Sequence, residues 1–297
     1  MSRSDEQALA SGGGRAAAVA GRLPNFFVIG AMKAGTSSLY RYLSAHPEVF
    51  LPAETKEPAF FARNWRLGVN WYRSLFEEAG EAVAVGEAST SYSKFPTVTT
   101  VPERMAGLVP EARLIYLLRD PIERMKSHYV WLTVHGTETR PIDVALLEEP
   151  AYVAVSRYAL QIKRFLPYYG LDRFLLITSE ALRAQREATL RRVFEFLGVD
   201  PAFRVPDMER EFNRTGGRRS GGAIMRAARR LPMARRLSVE APPALRRVAA
   251  HVLTREEPAP DTTLRPETDQ ELRERLSGDV RRLREYMGPG FDGWGIA

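Results

Sequence analysis

Hydrophobic and polar positions alternate along the chain in blocks that predict strands separated by helices. Uninterrupted apolar runs have the length of buried strands, and the stretches between them repeat apolar residues at helical spacing. The predicted strands are Phe26–Ile29, Ala82–Gly86, Arg113–Leu118 and Arg173–Thr178. The predicted helices cover residues 37–45, 66–77, 96–108, 152–168 and 187–197, and another begins at Pro121. This order predicts an α/β fold with a P-loop-like parallel β-sheet and helices on both faces.

The two ends of the chain differ in composition from this core. Residues 1–22 are rich in Ser, Gly and Ala with mixed charges, which predicts a disordered tail. Residues 206–260 contain a cationic, glycine-rich loop followed by basic segments with amphipathic spacing. A charged helix at Pro266–Met287 then adds a helical C-terminal extension. We therefore expect one domain over 23–297, divided into an α/β core at about 23–205, a basic part at 206–260 and a closing part at 261–297.

The composition narrows the chemistry that the chain can perform. Its 297 residues include no cysteine, which excludes disulfides, thiolate metal ligands and cysteine nucleophiles, and its four histidines lack metal-ligand spacing. No apolar run is long enough to span a bilayer, and the first residues lack the apolar stretch of a secretion signal, so we expect a cytoplasmic protein without a metal cofactor. The formal charge of +7 is carried mostly by arginine, whose guanidinium suits phosphate or sulfate ligands.

The most informative stretch is the loop that follows the first strand. Gly30 and Gly35 bound this loop and allow a close backbone approach to a ligand. Beyond them the next helix begins, and its N-terminus offers N–H groups and hydroxyls to an anion. Lys33 adds a positive charge inside the loop. The predicted phosphate-like anion site consists of Lys33, Ala34, Gly35, Thr36, Ser37 and Ser38.

This loop differs from the nucleotide P-loop G-x-x-x-x-G-K-[ST] at an informative position. Thr36 occupies the place of the P-loop lysine. The strand that ends at Leu118 continues into Arg119 and then Asp120, whereas a kinase needs an acidic magnesium ligand there. The pattern favours an anion held by protein charges over a metal-dependent phosphoryl transfer, and a small-molecule kinase becomes the weaker alternative.

Two glutamates are candidates for a catalytic base. Lys56 and Glu57 lie in a proline-bounded turn before an aromatic pair, which is compatible with a base beside an apolar wall or with an exposed turn anchored by its aromatic residues. Glu87 follows the predicted strand 82–86, and ligands gather beyond the carboxyl ends of parallel strands. The residues alone favour the exposed turn for Lys56 and Glu57.

A third segment begins at the end of the predicted strand 113–118. Pro121 suits the first helical turn and Asp120 its N-cap, so that Arg119 stands at the strand tip and Ser127 lies two turns into the helix. Arg119 could bind an anion or pair with a neighbouring carboxylate. Ser127 could face a ligand or solvent. These readings stay open when the segment is considered alone.

Four motifs in order resemble those of the sulfotransferases that use 3′-phosphoadenosine 5′-phosphosulfate (PAPS). Gly30–Leu39 is similar to their 5′-phosphosulfate loop, and Leu118–Tyr129 to their 3′-phosphate motif. Lys56–Phe61 matches the K-E-x-x-F-F segment of the heparan-sulfate-type branch, and Gly86–Tyr92 is similar to the G-E-A-S-P-x-Y segment of bacterial members. The resemblance extends from about Pro24 to Trp294.

The resemblance implies transfer of a sulfuryl group from PAPS to a hydroxyl or amine on a carbohydrate, a glycolipid or a natural product, with no metal. It implies catalytic roles for Lys33, Lys56 and for Glu57, with Glu87 as the second candidate base. It implies that the nucleotide is bound by the loop residues 33–38 and by Arg119, Ser127, Tyr158, Arg218 and Arg219.

One departure from the family pattern concerns Ala88, which stands where animal heparan enzymes have a lysine. A rival interpretation is a cationic protein that grips nucleic acid or an anionic surface through the basic segments 223–236 and 243–253. Nucleic acid is not expected as a partner, because 223–236 contains no aromatic residue for base stacking. Peripheral membrane contact through these segments stays open, and the sequence does not indicate the acceptor or the oligomeric state.

Overall fold

A computed structural model describes residues 21–206 and 260–297, together with the backbone of residues 220–221 and 254–255. Nearly all of the predicted tail 1–22 and of the basic part 206–260 lies outside these residues. The expected division of 23–297 into a core, a basic part and a closing part therefore stays a prediction.

A five-stranded parallel β-sheet forms the centre of the molecule. Its strands are β1 Phe26–Gly30, β2 Val49–Phe50, β3 Ala84–Ala88, β4 Arg113–Leu118 and β5 Phe174–Thr178, in the spatial order β2-β3-β1-β4-β5. Every residue of the central strand β1 is buried, as expected for a parallel strand that is covered on both faces. The segments that leave β1, β3 and β4 emerge at one edge of the sheet, which becomes the place for a ligand site.

Helices surround this sheet, and the predicted α/β class is confirmed. They are α1 Thr36–Ser44, α2 Gly68–Ser74, α3 Val101–Leu108, α4 Pro121–Val134, α5 Ile142–Glu148, α6 Pro150–Ser156, α7 Tyr158–Phe165, α8 Ser179–Ala184, α9 Arg186–Leu197 and α10 Pro266–Met287. A separate antiparallel pair joins β6 Ser220–Gly221 to β7 Thr254–Arg255. The sequence pattern missed β2, because two residues are too short a run to show a period.

Two of the predicted long helices are interrupted. The stretch 66–77 divides into the short helix α2 and parts of the 3₁₀ turns Trp65–Leu67 and Glu77–Ala79. Gly68, with φ 80° and ψ 162°, breaks the helix at its start. The stretch 152–168 divides into α6 and α7 at Arg157, where ψ is 80°. Asp279 of α10 caps the new N-terminus of α7 by accepting hydrogen bonds from the backbone N–H groups of Ala159 and Leu160, at 3.0 and 2.9 Å.

The position of β3 also differs from the prediction of 82–86. The strand runs from Ala84 to Ala88 and pairs with β1, with Phe27 opposite Glu87. The apolar pattern places the strand two residues too early because Ala82 and Val83 resemble strand residues, although Val83 is 45% exposed. Glu87 consequently lies inside the strand rather than beyond its end.

The closing helix α10 has the predicted bounds and packs through one apolar stripe. Leu272, Leu276 and Val280 lie four residues apart and join a buried cluster with the apolar residues of α4, α5 and α6. Beyond it the ring of Trp294 lies 4.6 Å from that of Phe291, and both residues pack against the buried clusters of the core. Within the parts of the chain that the structure describes, no helix has the length and apolar character needed to cross a membrane.

Candidate active site

The loop between β1 and α1 is held close to its neighbours at both ends. Ala31 donates its backbone N–H to the carbonyl of Leu117 in β4 at 2.6 Å, and Ala34 closes a turn onto Ala31. Gly30 has φ 154°, and a Cβ on it would lie 2.1 Å from the hydroxyl oxygen of Ser93, so a side chain does not fit there. The predicted need for glycine at this position therefore has a steric cause.

The N-terminus of α1 presents donors without a competing acid. Gly35 precedes it in a left-handed conformation, no side chain caps the helix, and the first turn contains no acidic residue. The first N–H groups of a helix have no intrahelical carbonyl, so Thr36 and Ser37 offer theirs to a ligand, whereas the N–H of Ser38 donates to the carbonyl of Gly35 at 2.9 Å. Lys33 has φ 73°, and Ala34 is buried. The predicted loop residues are therefore brought together around one helix end.

Lys56 and Glu57 lie beside this helix end rather than on a remote turn. The ammonium of Lys56 donates a 2.8 Å hydrogen bond to the hydroxyl oxygen of Ser37 and lies 3.7 Å from Oε1 of Glu57. Burial is the main cause that lowers the pKa of Lys56, and the neighbouring Glu57 opposes that shift. The aromatic pair Phe60 and Phe61 is fully buried and anchors the segment.

A hydroxyl from the end of β3 holds the other carboxylate oxygen of Glu57. Thr90 donates to Oε2 at 3.2 Å, so each oxygen of Glu57 has one partner. About a third of the Glu57 side chain is exposed, at 37%. The carboxylate is thus oriented by two neighbours and still accessible to an acceptor, which are the requirements for a general base.

Glu87 has a different environment. Its side chain is fully buried and accepts hydrogen bonds from the hydroxyls of Tyr72 at 3.1 Å, Ser89 at 3.2 Å and Tyr92. Burial raises its pKa to about 7, although these three hydrogen bonds act in the opposite direction. Ser89 in turn accepts the backbone N–H of Ala59 at 2.9 Å, which connects Glu87 to the segment that carries Glu57.

Arg119 lies where the tip of β4 meets the glycine loop. Its guanidinium donates to the carbonyl of Lys33 at 3.3 Å and lies 3.5 Å from a carboxylate oxygen of Glu123. The hydroxyl of the buried Tyr158 donates to the backbone carbonyl of Arg119 at 2.8 Å and so holds that residue in place. Ser127 is buried on α4, so the alternative of a solvated helix position is excluded.

Three basic side chains near this site were missed from the sequence. His128 is buried on α4, and its pKa is lowered to about 3 by burial and then by the charges of Arg124, Lys94 and Lys33. Arg124 is fully buried and donates to the hydroxyl of Ser156 and the carbonyl of Tyr152. No local sequence pattern marks Lys94 as a member of a site, because contacts distant along the chain bring it there.

Arg218, Arg219 and the basic segments proposed for membrane contact lie outside the described residues. In residues 21–206 and 260–297, no group of three or more His, Asp or Glu side chains is arranged to hold a metal ion.

This arrangement of strand, glycine loop and helix N-terminus is found in a known family. The model of the sulfotransferase domain matches residues 23–213, and the chain belongs to that family of sulfotransferase enzymes. The membership predicted from the four motifs is confirmed.

Curated relatives and a solved structure give the same family. The human heparan sulfate glucosamine 3-O-sulfotransferase 6 is 33% identical over 218 residues, which cover 70% of this chain and 60% of the relative. The mouse bifunctional heparan sulfate N-deacetylase/N-sulfotransferase 4 is 30% identical over 61% of this chain and 23% of the relative. The chain therefore spans 60% of the length of the first relative and 23% of the length of the second. A crystal structure of a sulfotransferase from Alicyclobacillus acidocaldarius is 26% identical with a TM-score of 0.66, and the match covers 92% of this chain and 99% of that one.

Proposed function

We propose that the protein transfers the sulfuryl group of PAPS to a hydroxyl or amine of a carbohydrate-like acceptor and leaves adenosine 3′,5′-bisphosphate (PAP). The observation that carries this proposal is a pair of contacts at one sheet edge. Lys56 bonds Ser37 at the helix end, and Arg119 bonds the carbonyl of Lys33 in the loop. These contacts connect the segment that carries Glu57, the candidate base, with the glycine loop. They also connect that loop with Arg119, the candidate residue for binding a second phosphate.

The residues present fit a nucleotide with phosphate groups at two positions. The N–H groups at 35–37 and the charge of Lys33 would hold the 5′-phosphosulfate, with Ser38 beside them in the same turn, since this helix end lacks any acidic side chain. Arg119 and the buried Ser127 would hold the 3′-phosphate from the tip of β4 and from α4. Tyr158 acts through the backbone of Arg119 in this scheme. PAPS supplies the sulfuryl group, and the chain supplies the charges.

The transfer breaks the sulfur–oxygen bond to the 5′-phosphate and forms one to the acceptor oxygen or nitrogen. Glu57 takes the proton of the acceptor, because its carboxylate is oriented and accessible. Lys33 and the loop N–H groups stabilise the negative charge that develops on the departing phosphate oxygen. Lys56 holds Glu57 in register with the loop through Ser37. By analogy with phosphoryl transfer, the attacking and departing atoms lie in line.

A carbohydrate is the acceptor class that the named relatives favour, since both act on heparan sulfate by their names. A glycolipid or a natural product with a sugar hydroxyl would present the same chemical group. The position of sulfation and the choice between oxygen and nitrogen go beyond what these relatives share.

The direct test is binding of PAP followed by turnover of sulfur-labelled PAPS. PAP at about 100 times its dissociation constant should stabilise the fold by about 2.7 kcal/mol, whereas ATP should not. Label should then move to a glucosamine-containing oligosaccharide. A melting temperature that saturating PAP leaves unchanged contradicts the proposal.

A further inference from the structure

The short helical turn Thr90–Ser93 connects Glu57, the candidate base, to the end of β1, where the glycine loop begins. At its start Thr90 donates to Glu57, and at its end Ser93 donates to the carbonyl of Ile29 at 2.8 Å. Gly30, the next residue of β1, packs so closely on Ser93 that a side chain at Gly30 would collide with it. The backbone therefore leaves this turn, at Lys94, directly beside the loop.

The residue after Lys94 is held equally well. The side-chain amide of Gln161 accepts the backbone N–H of Phe95 at 2.8 Å and donates to the carbonyl of Phe95 at 2.9 Å. Gln161 is itself buried. Because Ser93 and Phe95 are both tied to buried partners, the backbone of Lys94 has a defined position between the loop and α7.

The charge of Lys94 belongs to the same electrostatic environment as the candidate base and the loop lysine. Lys94 interacts electrostatically with Glu57, and Lys94 and Lys33 both act on His128. Burial is the largest cause that lowers the pKa of Lys94, and Arg124 and Arg63 lower it further. Within the described residues the ammonium of Lys94 has no hydrogen bond or ion pair. A half-buried cation among other cations is costly unless an anion joins it.

We propose that Lys94 binds the oxygens of the sulfuryl group of the donor, as a second cation beside Lys33. This inference rests on the proposed function. During transfer the charge on the sulfuryl oxygens persists while sulfur leaves the 5′-phosphate oxygen and bonds the acceptor. Glu57 takes the acceptor proton, and Lys94 keeps its own. Lys94 therefore stabilises the sulfuryl group during its transfer and takes no part in proton transfer.

PAP and PAPS differ only by the sulfuryl group, so a pair of affinities tests this assignment without knowledge of the acceptor. Lys94→Met removes the charge and keeps the length of the side chain. PAPS binding, measured by calorimetry, should weaken about ten- to 150-fold, the range of a charge-assisted hydrogen bond, while PAP binding stays unchanged. Lys94→Arg keeps a cation and should restore much of the PAPS affinity. The control is Lys163→Met on the exposed surface of α7, which should leave both affinities unchanged.

The remaining outcomes separate this inference from the proposed function. If the wild-type protein binds neither nucleotide, the proposed function fails. If the wild type binds both but Lys94→Met leaves the ratio of the two affinities unchanged, the assignment of Lys94 is wrong and the proposed function stands. A rise in acceptor KM with that ratio unchanged also overturns the assignment, because Lys94 would then bind the acceptor. A thermal melt of each variant shows that it is folded.

Discussion

Lys56 donates a 2.8 Å hydrogen bond from its ammonium to the hydroxyl oxygen of Ser37, nineteen residues earlier in the chain. The bond crosses from the segment that carries the candidate base to the first turn of α1, which carries the candidate donor site. This bond therefore helps to fix the distance between base and donor, together with the hydrogen bond from Thr90 to Glu57. Rates of group transfer are sensitive to such distances, since a displacement of about 1 Å can cost about 10²-fold.

Lys56→Met should lower kcat by about 10²-fold with a smaller effect on PAP affinity, because the loop itself is unchanged. Ser37→Ala removes the other partner of the same bond. The double variant should lose less than the sum of the two single losses in free energy, because two residues in contact are coupled. Steady-state kinetics of the four proteins measures this coupling. Strictly additive losses would contradict a role for the bond.

Glu57→Gln keeps the shape of the side chain but cannot accept a proton. Turnover of PAPS with an acceptor should fall by about 10²–10⁴-fold, while PAP affinity stays nearly constant because Glu57 does not bind the nucleotide. Glu54→Gln is a matched control, since Glu54 is an exposed acid three residues earlier. If Glu57→Gln keeps normal turnover and Glu87→Gln loses it, the roles of the two glutamates are exchanged.

Glu87 should make the stability of the fold depend on pH. Its pKa in the folded chain is about 7, above the 4.5 of an exposed glutamate, so the folded state holds more protons between these values. Its stabilising contribution is complete below about pH 4.5 and is lost as the pH rises through 7. Urea unfolding of the wild type and of Glu87→Gln at pH 5 and pH 8 measures this effect.

The free energy of unfolding of the wild type should fall more between these two pH values than that of Glu87→Gln. The difference between the two proteins is the informative quantity, because His128 acts in the opposite direction. Its lowered pKa of about 3 makes stability fall as the pH decreases below about 6.5. Equal pH dependence in both proteins would contradict the assignment to Glu87.

The position of Glu87 inside β3 and its hydrogen-bond partners could not be predicted from the sequence. A local run of apolar residues predicted a strand near Ala84, but pairing with β1 sets which residues lie inside it. Tyr72 and Tyr92 supply hydroxyls to Glu87 and make a carboxyl group acceptable inside the sheet. The sequence does not show that these hydroxyls reach Glu87, because Tyr72 lies in helix α2 and Glu87 in strand β3.

The glycine loop and the Arg119 segment were easier to predict. Each consists of consecutive residues with local functions, namely a strand end, a turn that needs glycine, and a capped helix start. Asp120 indeed accepts the N–H groups of Ile122 and Glu123 as an N-cap. Lys94 could not be predicted from local sequence, because its place near the loop depends on the bonds that Ser93 and Phe95 make with distant residues.

The choice of donor nucleotide should depend on Arg119 and Ser127. Arg119→Ala should weaken PAPS by about ten- to 150-fold, the value of one charge-assisted hydrogen bond. Adenosine 5′-phosphosulfate lacks the 3′-phosphate, so its binding should change little. Ser127→Ala removes a neutral donor and should act in the same direction with a smaller effect. Calorimetry with both nucleotides measures each of these affinities.

Arg119 also contacts Glu123 and the carbonyl of Lys33, so its loss could disturb the loop and not only the phosphate site. A disturbed loop would weaken both nucleotides equally, because both carry the 5′-phosphosulfate. Glu123→Gln separates the two effects, since it removes the ion pair and leaves the guanidinium in place. We expect this variant to keep the preference for PAPS. Equal losses of both nucleotides in Arg119→Ala would refute a 3′-phosphate site at Arg119, because only a residue that reads that phosphate can discriminate between the two donors.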